Sequence, residues 1–323
     1  MSNNIIIQTK NLTKYYGKSR GIENLTFEVN KGEIYGLLGP NGAGKTTTIR
    51  VLLDFIRRTS GEAQVFGLDV KQHSTEIRRR TSYLPGDLGF YENKTARRNL
   101  EFLLKLYKKS VPNRRIEELA ERIELSLDRK VKELSKGNKQ KIGIILTFAL
   151  ETELLIVDEP TSGLDPFIMN EYYKILYEQQ KESGTTVLLS SHLLGEVEKV
   201  AHRVGIIREG MIVESNTVDN LKKLALKRVN IKFPTISEVQ EFNSKIPTEI
   251  ANNTQTSGTD ISLTVSRDNL QEILDVIREV RNFSDLDIET PDLEEIFMKY
   301  YETGQSRAGS FKTSEIKNEE SDR

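Results

Sequence analysis

The sequence contains no cysteine and no long apolar run. Without cysteine among its 323 residues, the chain forms no disulfide, no cysteine-ligated zinc site and no thiol nucleophile, which fits a reducing cytosol. No stretch of about 18 uncharged apolar residues is present, and the first segment, MSNNIIIQTK, has too short an apolar run for a signal peptide. We therefore expect a soluble chain that does not cross a membrane by itself.

An excess of one charge is also missing. The 47 Lys and Arg residues are interspersed with 48 Asp and Glu residues, so the formal net charge is −1. Such a surface has no broad basic field to hold a nucleic-acid backbone. The charge balance therefore disfavours general binding of nucleic acid.

The first two thirds of the chain alternate between β-branched apolar runs and longer amphipathic stretches. This alternation is typical of an α/β fold with a mostly parallel sheet flanked by helices. Between about 91 and 150 the pattern is helical and predicts a helical subdomain inserted into a domain that spans 1–216. The predicted strands are 33–38, 64–66, 81–84, 154–157, 186–190 and 204–207.

The character of the sequence changes after about residue 216. Short strand-like segments at 229–233 and 261–265 alternate with helical segments at 236–244 and 270–280 in a βαβα-like order. This order predicts a small α+β accessory domain over 217–302. Residues 303–323 are Gly, Ser, Lys and Glu without periodic apolar positions, which predicts a disordered tail.

A glycine-rich segment directly after the strand 33–38 fits the phosphate-loop pattern G-x-x-x-x-G-K-[ST] in full. Its backbone N–H groups and the positive end of the following helix, predicted over 46–56, suit a polyphosphate. The lysine offers charge to the β- and γ-phosphates, and the first threonine offers a hard oxygen to Mg²⁺. A glycine-rich turn that matches by chance is the alternative, and the flanking strand and helix disfavour it. The candidate ATP-binding residues are Gly39, Pro40, Asn41, Gly42, Ala43, Gly44, Lys45, Thr46 and Thr47.

Two acids end the apolar run 154–157. Asp158 and Glu159 are expected at the carboxyl edge of a buried strand, where ligands bind in open α/β sheets. Asp158 is suited to hold Mg²⁺ through water, and Glu159 to polarise the water that attacks the γ-phosphate. Such an acidic pair alone often marks a strand that leaves the core, but the phosphate loop upstream favours the catalytic interpretation.

A histidine follows the strand 186–190 in the same way. His192 is therefore expected at a strand end near the γ-phosphate, as a second catalytic residue. The alternative is a structural histidine. His73 and His202 do not follow a predicted strand in this way, and we assign them to the surface or to packing.

Between about residues 5 and 214 the chain resembles the nucleotide-binding subunits of ABC transporters through six motifs that follow one another in the order found in that family. Tyr16 matches the aromatic residue that stacks on adenine in that family, and an aromatic face is a suitable platform for a base. Tyr15 is an alternative stacking residue, and core packing is the alternative for both tyrosines.

The segment LSKGNKQ, which begins at Leu134, looks like the family signature usually written LSGGQ. The resemblance implies that Ser135 and the Gly137 backbone bind the γ-phosphate of ATP held by the opposite subunit, from the start of a helix predicted over 138–150. Lys136 departs from the pattern and either adds a phosphate contact or is tolerated in the turn. Read alone, the segment is an ordinary helix cap.

Three further segments carry the resemblance or depart from it. Asp165 ends the stretch SGLD, which matches the family loop that crosses between subunits, although alone it would be a turn. Gly86 stands where the family usually has a glutamine that touches Mg²⁺, and Asp87 is a candidate substitute. Residues 292–297 resemble the ending of ATPases that pair with separate permeases, often bacterial exporters; an amphipathic helix on the accessory domain is the alternative.

The resemblance implies a P-loop ATPase that binds ATP and Mg²⁺ between two copies of itself. Its expected partners are a second copy in the ATP-bound state and integral membrane permease subunits, with no nucleic acid. It would act at the cytoplasmic face of the cell membrane and energise export of a drug, peptide or antibiotic. The cargo would contact the membrane partner and not this chain. The alternatives are a soluble ATP switch on ribosomes or nucleic acid, which the single cassette and lack of heptads disfavour, and a regulatory sensor ATPase.

Overall fold

The structure is a computed structural model that describes residues 4–107, 110–224, 227–247, 250, 254–280 and 282–289. The chain divides into two compact units between Thr217 and Val218. The predicted permease-type ending at 292–297 and the predicted tail at 303–323 lie outside the described residues. Among the helices that are described, none is both long and apolar enough to span a bilayer.

In the described part of the first unit, ten strands form two sheets. They are β1 (Ile5–Tyr16), β2 (Ser19–Asn30), β3 (Ile34–Leu38), β4 (Ser60–Val65), β5 (Leu68–Asp69), β6 (Thr81–Leu84), β7 (Leu154–Asp158), β8 (Thr186–Ser191), β9 (Arg203–Arg208) and β10 (Met211–Thr217). The central sheet has the order β10-β9-β3-β8-β7-β6, with β10 antiparallel to β9 and the other pairs parallel. Because β3, β7 and β8 are buried along their whole length, they appear in the sequence as continuous apolar runs. The predicted parallel sheet is confirmed.

The second sheet is antiparallel, with the order β2-β1-β4-β5. The sequence predicts a strand at 64–66 within the parallel sheet, but this segment belongs to β4 and pairs with β1. The prediction of its sheet is wrong because a three-residue apolar run carries no information on strand direction. The long β1-β2 hairpin is not predicted, because several register shifts along it interrupt the alternation of apolar and polar residues.

Seven α-helices accompany these strands in the described part of the first unit. They are α1 (Lys45–Leu52), α2 (Ser74–Arg79), α3 (Ala96–Leu106), α4 (Asn113–Arg122), α5 (Lys136–Ala149), α6 (Pro166–Ser183) and α7 (Leu194–Val200). The helices α3, α4 and α5 pack together in one apolar cluster and account for the helical pattern between 91 and 150. The helix predicted over 46–56 ends earlier, at Leu52, because Asp54 adopts a left-handed φ of 56° that turns the chain out of the helix.

The second unit contains a four-stranded antiparallel sheet and three described helices. Its elements are α8 (Val218–Leu224), β11 (Lys227–Lys232), α9 (Ile236–Lys245), β12 (Thr254–Ser257), β13 (Asp260–Val265), α10 (Arg267–Val280) and β14 (Asp285–Glu289). After α8 the described elements follow the order β-α-β-β-α-β, with the sheet order β12-β13-β11-β14. The four predicted elements are present in the predicted order, but the prediction omits β12 and β14, whose mostly polar, exposed residues give little strand signal.

Close packing of α7 on β3 positions the loop that precedes α7. Gly36 lies in the middle of β3, and a Cβ atom at this position would be 2.2 Å from Val197 Cγ1 on α7. Only glycine therefore allows this helix to approach the strand so closely. The loop between β8 and α7, which carries His192, depends on this contact for its position.

We expect Gly36→Ala to destabilise the protein by about 1–3 kcal/mol, because the added methyl group forces α7 away from β3. Denaturant unfolding of the full chain measures this change. The matched control is Gly195→Ala on α7 itself, where an added Cβ meets no atom within 4 Å. A Gly36→Ala variant as stable as the control would contradict the packing account.

Candidate nucleotide-binding site

Three parallel strands end at the same edge of the central sheet. Leu38 at the end of β3 is in register with Ser191 of β8, and Asp158 of β7 is in register with Ser190. The segments that follow the three strands are the phosphate loop, the loop that begins at Glu159 and the loop that contains His192. The structure therefore brings the predicted catalytic and phosphate-binding segments together.

The phosphate loop has a backbone conformation that requires glycine. Gly42 and Gly44 have φ values of 83° and 110°, in the left-handed region that side chains disfavour. Gly44 is also crowded, since a Cβ there would lie 2.8 Å from the carbonyl oxygen of Gly21. A Cβ on Gly39 would lie 2.3 Å from the carbonyl oxygen of Ile207. The loop is thus held closely against β2 and β9.

Hydrogen bonds fix the remaining loop residues. The N–H of Ala43 donates to the carbonyl of Pro40 at 3.2 Å, and the carbonyl of Ala43 accepts from the N–H of Gly210 at 2.9 Å. Asn41 and Pro40 are exposed on the outer side of the loop. The loop is therefore anchored on its protein side and exposed on the other.

Lys45 begins α1 and is buried among oxygen atoms. Its Nζ donates to the carbonyl oxygens of Gly39 at 2.6 Å and Pro40 at 3.1 Å. The same ammonium lies 3.1 Å from Glu159 Oε1, a buried oxygen that accepts no hydrogen bond from the described residues. A compact positive charge is thus held between the phosphate loop and the candidate catalytic acid.

Thr46 and Asp158 present oxygen atoms suited to a magnesium ion. Thr46 Oγ1 donates to Asp158 Oδ2 at 2.8 Å, and Ser190 Oγ donates to Asp158 Oδ1. Within the described ranges, no group of three His, Cys, Asp or Glu side chains forms a complete metal site. Mg²⁺ commonly binds through one or two protein oxygens, with water and substrate phosphates as the other ligands, so Thr46 and Asp158 fit this metal together with a nucleotide.

Glu159 and His192 form a hydrogen-bonded pair. His192 Nδ1 lies 2.6 Å from Glu159 Oε2. Glu159 has a left-handed φ of 51°, a strained conformation for this residue that is often found at functional sites. His202 instead accepts a hydrogen bond from the N–H of Ile34, and His73 is exposed before α2, which confirms their structural and surface assignments.

The two candidate stacking tyrosines differ in their surroundings. The hydroxyl of Tyr15 donates to Glu23 at 2.7 Å, and this hydrogen bond is the main cause of a raised Tyr15 pKa. The Tyr16 ring is 46% exposed and lies beside the start of α1, with its hydroxyl 3.5 Å from Thr47 Oγ1. Tyr16 is therefore the better placed of the two to stack on a base.

The signature segment and the SGLD segment contact each other. Ser135 caps α5 by accepting from the N–H of Asn138 at 3.2 Å, and Asp165 caps α6 by accepting from the N–H of Ile168 at 3.0 Å. Gly137 packs so closely that its Cβ would lie 2.3 Å from the carbonyl oxygen of Gly163. No hydrogen bond or ion pair among the described residues joins Ser135, Gly137 or Asp165 to the phosphate loop of the same copy.

The loop after β6 runs beside Asp158. A Cβ on Gly86 would lie 3.5 Å from the Asp158 carbonyl oxygen, and the neighbouring Asp87 is exposed. The role of Asp87 as a metal or water ligand stays a prediction. Two other polar residues, Ser190 and the buried Glu196, belong to the site but are not singled out by the sequence, because a serine in a strand or a glutamate in a short helix carries no motif.

Comparison with known proteins supports the resemblance to ABC transporter subunits that the sequence motifs indicate. The family model described as ABC transporter matches residues 22–162. The chain is 42% identical over 223 residues to the bacitracin transport ATP-binding protein BcrA of Bacillus licheniformis, covering 68% of this chain and 72% of that protein. It is 36% identical over 220 residues to the daunorubicin/doxorubicin resistance ATP-binding protein DrrA of Streptomyces peucetius, covering 67% of this chain and 66% of that protein.

Solved structures share the fold of this chain. The ATP-binding subunit of an ABC transporter matches with a TM-score of 0.63 and 31% identity, over 68% of this chain and 92% of that chain. A dimeric ATP-binding cassette in a post-hydrolysis state with ADP and Pi shares the fold, with a TM-score of 0.60 and 22% identity over 66% of this chain and 99% of that chain. The chain therefore belongs to the ATP-binding subunits of the ABC transporter family.

We expect Tyr16→Ala to weaken ATP binding about 5- to 100-fold, because a stacked base contributes roughly 1–3 kcal/mol. Binding of inorganic tripolyphosphate, which has no base, should not change. Titration calorimetry with both ligands measures the difference, with Tyr16→Phe and Tyr15→Phe as controls that keep their rings. Equal weakening of both ligands would show that Tyr16 shapes the loop and does not stack.

Proposed function

We propose that this chain binds ATP with Mg²⁺ at the common edge of β3, β7 and β8 and hydrolyses it. The observation that carries the proposal is the series of contacts across this edge. Thr46 contacts Asp158, Lys45 contacts Glu159, and Glu159 contacts His192. Together these residues provide a phosphate-binding charge, metal ligands and a carboxylate for water activation.

Each group has a distinct part in the proposed reaction. Lys45 would direct its ammonium to the β- and γ-phosphate oxygens, and Thr46 and Asp158 would hold Mg²⁺, which neutralises phosphate charge when bound. Glu159 would orient a water and accept its proton as the oxygen attacks the γ-phosphorus and the bond to ADP breaks. The hydrogen bond from Glu159 to His192 would keep the carboxylate in position.

A second copy of the chain would complete the site. Ser135 and Asp165 are exposed and lie apart from the phosphate loop of their own copy, although a helix N-terminus such as that of α5 suits an anion. We infer that two copies meet head to tail in the ATP-bound state, so that Ser135 and Gly137 of one copy face the γ-phosphate held by the other. Asp165 would lie at the contact between the copies.

We further propose that ATP hydrolysis drives an integral membrane permease from the cytoplasmic face of the membrane. The names of BcrA and DrrA, which refer to bacitracin transport and drug resistance, support an exporter of a drug, peptide or antibiotic. These names do not favour a soluble ribosomal or nucleic-acid switch. The division of the chain after Thr217 supports an ATPase domain that ends near residue 216, followed by the accessory domain.

An apolar groove of 780 Å³ offers a surface for the permease. Its lining includes Leu53, Phe55, Tyr83 and Leu106, of which Phe55 and Leu106 are exposed. Exposed apolar surface of this kind is typical of a protein contact site. Burial, with a smaller contribution from the charge of Asp158, raises the pKa of Tyr83 to about 12, so this residue contributes a neutral side chain to the groove.

We expect Glu159→Gln to bind ATP normally but to lower kcat at least about 100-fold, because the amide cannot accept a proton from water. The variant should accumulate as an ATP-bound dimer, measured by light scattering after size-exclusion chromatography. Glu182→Gln, at an exposed position on α6, is the control. Unchanged hydrolysis by Glu159→Gln would overturn the proposed role.

We expect a multi-helix membrane protein to co-purify with the tagged chain from detergent-solubilised cells, and Phe55→Ser to reduce its recovery several-fold. The matched control is Tyr177→Ser, because Tyr177 is 51% exposed and Phe55 is 53% exposed, but Tyr177 lies outside the groove. ATP hydrolysis by the isolated variants should stay unchanged. Recovery of a ribosomal partner without a membrane protein would contradict the transport proposal.

A further inference from the structure

Glu196 is a buried acid that the proposed reaction does not use. It lies on α7 with 5% of its side chain exposed. Thr161 Oγ1 donates to its Oε1, and Ser191 Oγ donates to its Oε2 at 2.6 Å. Both carboxylate oxygens are therefore engaged, one by the loop that follows β7 and the other by the last residue of β8.

These two segments adjoin the candidate catalytic pair, Glu159 and His192. Thr161 follows Glu159 by two residues, and Ser191 directly precedes His192. Ser191 Oγ also accepts from the N–H of Leu193 at 2.9 Å, which closes the turn that contains His192. Glu196 thus connects, through two side-chain hydroxyls, the segments on both sides of the 2.6 Å contact between Glu159 and His192.

The conformation of Glu159 makes this connection important. Its φ of 51° is unfavourable for a residue with a side chain, so the surrounding contacts must maintain it. The N–H of Glu159 donates to the Ser190 carbonyl at 3.1 Å on one side, and Thr161 is held by Glu196 on the other. The two anchors lie in β8 and α7, the elements on either side of the loop that carries His192.

We propose that Glu196 is a positioning residue for ATP hydrolysis, which fixes the geometry of Glu159 and His192 without touching the nucleotide. This inference rests on the proposed catalytic roles of those two residues. A glutamine at position 196 can retain both contacts, because a hydroxyl group can accept a hydrogen bond from the amide as well as donate one. An alanine retains neither.

A control is needed for the general effect of removing a buried acid. Glu33 is also buried, but it precedes β3 and lies at the opposite end of that strand from the phosphate loop. It accepts from the N–H of Asn30 at 2.7 Å and lies 3.4 Å from Arg203 Nε. Glu33→Ala therefore reports the loss of a buried carboxylate away from the site.

The test measures kcat, ATP affinity and folded fraction for Glu196→Ala, Glu196→Gln and Glu33→Ala in the full chain. We expect Glu196→Ala to lower kcat about 10- to 100-fold with ATP affinity within about twofold, because small misplacement of catalytic groups is costly. Glu196→Gln should stay within about threefold of the original kcat, and so should Glu33→Ala per folded molecule. Thr161→Val removes one of the two contacts without removing the acid, and should lower kcat at least about threefold. This variant tests the inference even if Glu196→Ala does not fold.

Single-turnover hydrolysis in a Glu159→Gln background separates positioning from other effects. Glu196→Ala should lower the residual rate less than about twofold there, since its effect passes through Glu159. The inference would be overturned if Glu196→Ala lowered the rate as much in the Glu159→Gln background as in the original chain. It would also be overturned if Glu196→Ala and Thr161→Val both had the same kcat as Glu33→Ala. Normal hydrolysis by Glu159→Gln itself would instead overturn the proposed function, independently of Glu196.

Discussion

The parallel pairing of β3, β7 and β8 is the constraint on which the nucleotide site depends. Because the carboxyl ends of parallel strands that start from the same side lie at one edge of a sheet, residues far apart in the sequence meet there. The hydrogen bond between Thr46 and Asp158 joins positions 112 residues apart. All three strands are fully buried, and a shift of register by one residue would turn every side chain to the opposite face. The register of these strands therefore specifies the site as well as the fold.

The loops at this edge are connected to one another behind the site. Gln140 Nε2 lies on α5, the signature helix, which begins in the signature segment, and donates to the Pro160 carbonyl at 3.0 Å. Gly137 of the same helix packs against Gly163. The segment between Pro160 and Gly163 in turn follows Glu159 directly. A displacement of the signature helix would therefore reach the candidate catalytic acid through short, polar and tightly packed contacts. In the proposed dimer, contact with a second copy would therefore be linked mechanically to the acid that we propose activates water.

The sequence predicts those features that have local patterns with fixed spacing. The phosphate loop and the acids after β7 are recognisable because glycines, a lysine or an apolar run accompany them. The direct contact between Glu159 and His192 is not predictable, because strand pairing, which no local pattern encodes, creates it. Glu196 is missed for a similar reason, since its burial comes from the packing of α7. The β1-β2 hairpin and the polar strands β12 and β14 lack the regular apolar alternation that predicts strands.

In the proposed dimer, ATP lies between the phosphate loop of one copy and the signature segment of the other. Because the chain contains no cysteine, Asn41→Cys and Lys136→Cys can be introduced together without a background of other thiols. In a Glu159→Gln chain that still binds ATP, mild oxidation should then yield a disulfide-linked dimer that depends on ATP, while either cysteine alone should not. Peptide mapping should find the two new cysteines joined between chains. A disulfide within one chain, or no ATP-dependent disulfide despite normal ATP binding, would contradict the account.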